Sequence, residues 1–244
     1  MPPHDVPSPT LPDELPQGDE KVAAVRSMFD AIAPRYDLVN RIMTFRMDVG
    51  WRRRTVRDLR LAPGSTVLDL ACGTGDLCRE LQAHHLAPIG VDLSYGMLAA
   101  ARTTAPLLEG DALQLPVGDG AVAGVTCGFA LRNFLALDPF FAELARVVRP
   151  GGRIALLEVA EPKNPVLRWG HGIYFGSVVP RIGGLLSDPA AYRYLPKSVA
   201  YLPAPDAMLA TLADAGFVRV DRQLLSTGIA QLITATRADD RGRP

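Results

Sequence analysis

Cysteine is scarce in this sequence: Cys72, Cys78 and Cys127 are the only ones, an odd number with no paired Cys-x-x-Cys spacing. That argues against a zinc centre or a disulfide framework and leaves small buried thiols in a reducing compartment. A surplus of charge is missing too. Lysine and arginine number 26 against 26 aspartates and glutamates, so the chain lacks the basic footprint of a nucleic-acid binder. Residues 1–19 have neither the basic start nor the apolar core of a signal peptide; they are rich in proline and acid, the composition of a disordered tail. Nor is there a membrane-spanning run. The stretch 165–186 is mostly apolar but is interrupted by Arg168, His171 and Arg181 and by glycines at 170, 172, 176, 183 and 184, so its longest uncharged piece is too short to cross a bilayer. The expected location is cytoplasmic.

What is present suffices for one large domain: 244 residues, 48% hydrophobic and 21% charged. The chain is organised around Val67-Leu-Asp-Leu-Ala-Cys-Gly-Thr-Gly-Asp76, an apolar run, an acid, and two glycines one residue apart. Turn chemistry precedes it and helical periodicity follows it, which reads as strand, tight turn, helix. Glycines at 73 and 75 let backbone N–H groups approach a ligand at a helix N-terminus. Cys78 stands where a dinucleotide fingerprint wants its third glycine, and no lysine is near for a phosphate loop. The acids Asp69 and Asp76 around the turn suit a ligand carrying an amino group and a sulfonium better than a pyrophosphate.

Along the chain, Val22, Val25, Met28 and Phe29 share one helix face, and Pro34 breaks that helix to put Arg35, Tyr36 and Asp37 at a junction. Residues 88–92 form a second buried strand ending in Asp92, placed to accept both hydroxyls of a ribose. Ser94 caps a helix expected to run to Ala101. A third strand ends at Asp111, suited to an adenine amino group; a fourth spans 121–127 and leads into Gly128-Phe-Ala-Leu-Arg-Asn133. Asp138 and Pro139 start another helix, and Arg149-Pro-Gly-Gly152 turns it into a strand over 154–158. Polar groups thus sit at five successive strand ends, the edge where parallel sheets bind ligands. A helix over 205–215 and two strands, 217–225 and 229–236, follow. The fold class is α/β, Rossmann-like, with a parallel sheet closed by a C-terminal antiparallel hairpin.

Taken together, Asp69-Leu-Ala-Cys-Gly-Thr-Gly75, Asp92, Gly110-Asp-Ala112 and Arg149-Pro-Gly-Gly152 resemble a class I S-adenosylmethionine-dependent methyltransferase. More closely, Phe29-Asp-x-Ile-Ala-x-Arg-Tyr-Asp-x-x-Asn40, Phe129-Ala-Leu-Arg-Asn133, Leu157-Glu158 and Tyr192-Arg-Tyr-Leu-Pro-Lys-Ser198 resemble the ubiquinone/menaquinone biosynthesis C-methyltransferase family, over most of the chain. The resemblance implies S-adenosylmethionine as donor, with Thr74 and the Gly73 and Gly75 backbone at its methionine part, Asp92 at the ribose, Asp111 and Ala112 at the adenine, Gly128 beside it, and Asp69 in indirect contact with the amino group. It implies a prenylated hydroquinone, methylated on a ring carbon, as acceptor. Ionising a neighbouring phenol makes that carbon a better nucleophile, and a phenol titrates near pH 10 unless a cation or donor stabilises its anion. Arg132 and Asn133 are the candidates for that activation, and Tyr36 for positioning the ring. No metal is implied.

The same resemblance organises the chain as a tail (1–19), a single methyltransferase domain (20–237) with a helical lid (20–60) and an acceptor cap (162–200), and a loose tail (238–244). A homodimer and peripheral contact with a membrane surface are further expectations. Two departures bear on the acceptor. Arg46-Met-Asp48-Val49 stands where the family usually has Gly-x-His-Arg, and Gly128-Phe-Ala130 where it has Ser-Phe-Gly. A methyltransferase of another aromatic or polyketide-like ring, and a donor-binding regulator without turnover, are the alternative readings.

Overall fold

The computed structural model describes residues 18–179, 181, 182, 191, 194 and 197–239. The expected tails, except for residues 18, 19, 238 and 239, and part of the expected cap, including Tyr192, Arg193, Leu195 and Pro196, lie outside the described residues. Seven strands form one sheet in the order β3-β2-β1-β4-β5-β7-β6. They are β1 (Thr66–Leu70), β2 (Ala87–Asp92), β3 (Leu107–Glu109), β4 (Val122–Gly128), β5 (Val148–Val159), β6 (Phe217–Leu225) and β7 (Ala230–Arg237). The first five run parallel, while β7 is antiparallel to both β5 and β6. The hairpin thus inserts its second strand between β5 and its first.

The central strands are apolar on both faces, as strands of a parallel sheet covered by helices must be. Leu68, Leu70, Val125, Ile154 and Leu156 point to one side, against Phe140, Phe141 and Leu144 of α6 (Leu137–Val147) and Met208 and Leu212 of α8 (Pro205–Asp214). Val67, Ala155 and Leu232 point to the other, against Val56 and Leu59 of α3 (Met47–Leu59) and Leu77 and Leu81 of α4 (Asp76–Ala83). Each fully buried phenylalanine or leucine contributes about 1.5–3 kcal/mol, so these two layers fix where the strand ends lie.

Over the carboxyl edge stand α1 (Gly18–Ile32), a 3₁₀ turn at Ala33–Arg35 and α2 (Tyr36–Met43). Pro34 ends α1 as expected, because its ring denies the helix a hydrogen bond. The helix starts at Gly18, earlier than the expected tail boundary. Lys21 latches it down: its Nζ donates to the carbonyls of Arg132 (3.0 Å) and Phe134 (2.9 Å) and lies 3.7 Å from the Tyr201 ring centre. Burial pulls the Lys21 pKa down to about 8, yet every partner is an acceptor or a π face, so the ammonium is the form these contacts hold. On the far side Trp51 Nε1 donates to Ser226 Oγ at 2.8 Å, tying α3 to the hairpin turn.

Two sequence expectations are corrected. The helix capped by Ser94, α5 (Tyr95–Ala99), stops before Ala101; the chain turns away there as Arg102 N–H donates to the Thr74 carbonyl at 3.1 Å. Arg149-Pro-Gly-Gly152 is not a turn ahead of a strand but a looped-out part of β5. Val122 of β4 pairs with Val148 and Gly124 with Arg153, so the intervening residues bulge, with Gly151 at φ +73°.

Gly124 itself sits at a close approach: a Cβ there would stand 2.7 Å from the Arg153 carbonyl oxygen and 2.8 Å from Leu61 Cδ1. Gly124→Ala should therefore lower stability by about 1–3 kcal/mol through overpacking, read as a lower urea midpoint with unchanged slope.

Candidate functional site

The sheet order reverses between β2 and β4, on either side of β1, and the crevice at that switch point holds the site. After β1 the backbone enters the left-handed region at Ala71 (φ +50°), Gly73 (φ +55°) and Gly75 (φ +81°). Gly75 has no room for a side chain, since a Cβ would lie 2.6 Å from Thr103 Cγ2. The turn is braced from both sides. Gly73 N–H donates to Asp92 Oδ2 at 2.7 Å, and the Thr74 hydroxyl donates to Asp37 of α2. Asp92 is fixed in turn by Ser94 N–H at 2.8 Å.

A cavity of about 140 Å³ opens between this turn and α1. Asp92, Asp111, Ala112 and Gly128 line it on the sheet side, Val22, Val25 and Phe29 on the lid side. Asn133 also borders it, and its Oδ1 is buried with no hydrogen-bond partner among the described residues. The pair expected to act together is therefore divided, with Asn133 on this side and Arg132 on the next. A second cavity of about 370 Å³ lies beyond, walled mainly by Met43, Phe45, Trp51, Leu167, Tyr174 and Ile229. Its polar lining includes Arg132, Asn40, Asp48, Arg52 and His171; the last brings a histidine to the site that the sequence reading had placed only in the cap. A smaller space of about 40 Å³ under the glycine turn is bordered by Asp69, Thr74, Asp76 and Arg52. Tyr36 and Phe129 border all three. Phe129 does so from the left-handed region (φ +60°), directly after β4.

Arg132 is buried, only 6% exposed. Its Nη1 pairs with Glu158, its own backbone N–H reaches Glu158 Oε2 at 3.3 Å, and its Nε donates to Ser198 Oγ at 3.1 Å. Glu158, fully buried at the end of β5, also accepts from Val159 N–H at 2.8 Å. Tyr36 has its phenol pushed above the usual value by burial, against an opposing hydrogen bond from Asn40, so it stays neutral.

Asp69 lies beneath the turn rather than in the open cleft. It is fully buried, with Oδ1 accepting from the Thr126 hydroxyl at 2.8 Å and Oδ2 from the Cys78 thiol at 3.3 Å. Burial outweighs those donors and lifts its pKa to about 7. Asp76 borders the space under the turn and is also engaged by arginines: Arg79, Arg52 at 3.1 Å and Arg41 at 3.7 Å. All three cysteines are buried and free.

Arg52 was missed in the sequence, and Asp48 was noted there only as a departure from the family pattern. The i,i+4 spacing of 48 and 52 on α3 was the available signal. Burial works against ionisation of Asp48, but the Thr44 hydroxyl at 2.6 Å and the paired Arg52 prevail and hold its carboxyl below the usual value.

A switch-point cleft with a glycine turn after β1, an acid at the end of β2 and a second cavity meeting it at Tyr36 defines a class I S-adenosylmethionine-dependent methyltransferase. The orphan Asn133 oxygen and the Asp92 carboxylate suit a nucleoside with amino and hydroxyl donors. The chain belongs to the ubiE/COQ5 methyltransferase family, which matches residues 17–237. It is 45% identical to the demethylmenaquinone methyltransferase of Thermus thermophilus over 86% of this chain and 100% of that one. It is 41% identical to the ubiquinone/menaquinone biosynthesis C-methyltransferase UbiE of Syntrophotalea carbinolica, over 87% and 94% respectively. In fold it is similar to the phosphoethanolamine N-methyltransferase 2 of Haemonchus contortus solved with S-adenosyl-L-methionine, with a TM-score of 0.58, 13% identity, and coverage of 78% of this chain and 53% of that one. No helix among the described residues is long and apolar enough to cross a membrane.

The position of Asp69 gives a pH dependence. Its folded pKa of about 7 lies above the ordinary 3.8, so the folded protein holds a proton that the unfolded chain releases. The ligand-free protein therefore loses stability from this group as pH rises across that window. A bound sulfonium reverses the preference by favouring the carboxylate. Donor affinity measured by calorimetry should rise from pH 5.5 to 7.5 with proton release, about tenfold for each unit the cation takes off the Asp69 pKa, and Asp69→Asn should flatten this rise.

Proposed function

We propose that this methyltransferase moves the sulfonium methyl of S-adenosylmethionine onto a ring carbon of a prenylated hydroquinone, demethylmenaquinol or a related quinol. The observation that carries the reading is the large apolar cavity with the Arg132 guanidinium in its wall, meeting the donor cleft at Tyr36 and Phe129. A ring with a long hydrocarbon tail matches its lining, and the two guanidiniums in its wall, Arg132 and Arg52, put positive charge where the ring acquires negative charge. The names of the relatives point the same way.

In this reading Thr74 and the Gly73 and Gly75 backbone hold the methionine part of the donor, with Asp69 behind them. Asp92 takes the ribose hydroxyls, and Asp111, Ala112 and Gly128 shape the adenine side. Asn133 belongs with these groups, because its unpaired oxygen borders the donor cleft. The donor supplies an electrophilic methyl; the chain supplies placement and charge. Arg132 lowers the cost of ionising the acceptor's phenol, and Glu158 and Ser198 keep its guanidinium from swinging away. Tyr36, neutral and at the junction, fixes the ring plane for in-line attack. The helices α1 to α3 act as lid, and α7 (Pro165–Ile173) with the residues after it as acceptor cap.

The mouth of the large cavity carries Phe45, Val166 and, one turn along α7, Trp169, each more than 70% exposed. Such a rim, with Arg168 and Lys163 beside it, fits shallow burial at a membrane surface from which a prenylated substrate enters. The Phe45→Ser, Trp169→Ser double variant should lose most of its co-flotation with anionic lipid vesicles while keeping its melting temperature.

The deciding experiment incubates the protein with labelled S-adenosylmethionine and reduced demethylmenaquinone in detergent and weighs the extracted lipid. A methylated menaquinol is the expected product; donor binding with no transfer would move the acceptor to another aromatic ring. Arg132→Lys, chosen because removing the charge leaves Glu158 buried and unpaired, should lower kcat by about 10²-fold with donor affinity unchanged. Unaltered turnover would sink the role given to Arg132.

A further inference from the structure

We propose that Arg52 receives the α-carboxylate of the donor's methionine part, and that Asp48 is the residue that positions it. The methionine end of the donor carries an ammonium and a carboxylate, and the two need opposite partners. The small space beneath the glycine turn is where that end must lie if the nucleoside occupies the cleft beside Asp92 and Asp111. Its wall contains two acids, Asp69 and Asp76, and among the described residues one cation, Arg52.

The side chain of Arg52 is built for this place. Only 11% of it is exposed. One Nη is bound to Asp48, and the other lies 3.1 Å from Asp76 Oδ2. A guanidinium has five N–H groups, and these two contacts leave each Nη a second hydrogen. The planar fork matches a carboxylate better than an ammonium would. The same residue also borders the large cavity and acts electrostatically on both Tyr36 and Asp69, so it stands where donor and acceptor meet.

Asp48 explains why Arg52 stays there. Free arginines extend into water, but this one is drawn in by a carboxylate that is itself almost fully buried and held by the Thr44 hydroxyl at 2.6 Å. Asp76 alone would not orient it, since that acid is shared with Arg79 and Arg41. The aspartate at 48, where the resemblance leads one to expect histidine, thus has a role: it supplies a full negative charge to pre-organise a donor-binding arginine.

The test needs no acceptor, so its failure is separable from failure of the quinol reading. Binding of S-adenosylmethionine, of its decarboxylated form and of 5′-methylthioadenosine is measured by calorimetry for wild type, Arg52→Gln, Arg52→Lys and Asp48→Asn. Arg52→Gln should weaken S-adenosylmethionine on the order of 10- to 100-fold, the scale of a lost charge-assisted hydrogen bond. It should leave the decarboxylated donor and methylthioadenosine within about twofold of wild type, which also shows that the variant is folded. Arg52→Lys should restore part of the selectivity, and Asp48→Asn should lose part of it in the same ligand-dependent way. Equal weakening of all three ligands, or no weakening of S-adenosylmethionine, overturns the assignment.

Discussion

The buried pair of Arg132 and Glu158 stands where several separate parts of the chain meet. Glu158 lies at the end of β5, Arg132 follows β4, Ser198 comes from the far end of the segment 162–200, and Lys21 of α1 takes the Arg132 carbonyl. Burying two charges costs several kcal/mol each before their attraction offsets it, so a hydrophobic pair would hold the fold as well. What such a pair would not provide is a cation of fixed direction in the wall of an apolar cavity. Helix α1 and the strand edges are therefore arranged about a group to which the proposed function gives a catalytic role.

Two of the residues with left-handed backbone stand at the same edge. Ala71 and Phe129, both with left-handed backbone, follow β1 and β4 directly, and such residues cost about 1–3 kcal/mol each. Their placement has a consequence for the site. Turning the chain sharply at Ala71 aims the Gly73 N–H at Asp92, and turning it at Phe129 swings an aromatic ring between the donor and acceptor cavities. The surrounding layers, with Phe140 and Phe141 fully buried beneath, are rigid enough to impose both conformations.

Much of this was legible in the residues. The strands β1 and β4 announce themselves as short apolar runs, the hairpin by its Ser-Thr-Gly turn, and the donor cleft by acids at successive strand ends, because these signals are local and periodic. The misses share a different cause. That Asp76 faces Arg52 depends on α3 packing against α4, and no spacing in the chain encodes that contact. Asn133 lies on the donor side and Arg132 on the acceptor side because one turn of 3₁₀ helix, Leu131–Asn133, splits adjacent side chains. The β5 bulge escaped notice because proline and two glycines read as a turn whether or not a neighbouring strand resumes its register.

The charges of the site fit a reaction that consumes charge. In the proposed transfer the S–CH3 bond breaks as the ring carbon takes the methyl, so sulfonium and phenolate become a thioether and a neutral dienone, which turns aromatic again by giving up its ring proton. In the role proposed for it, Arg132 would stabilise the ring while it is anionic and hold it less once the methyl has moved. Asp69, easily protonated for a carboxylate because of its burial, would in the same reading favour the donor only while its cationic charge is present. The carboxylate at the far end of the donor is the same before and after, and a contact to it anchors both forms without favouring either. In the proposed reading the polar groups divide between those that sense the reacting charge and those that only anchor. Arg132 faces the apolar cavity, while Arg52 borders both that cavity and the space under the glycine turn, which places it to anchor the donor beside the reacting atoms.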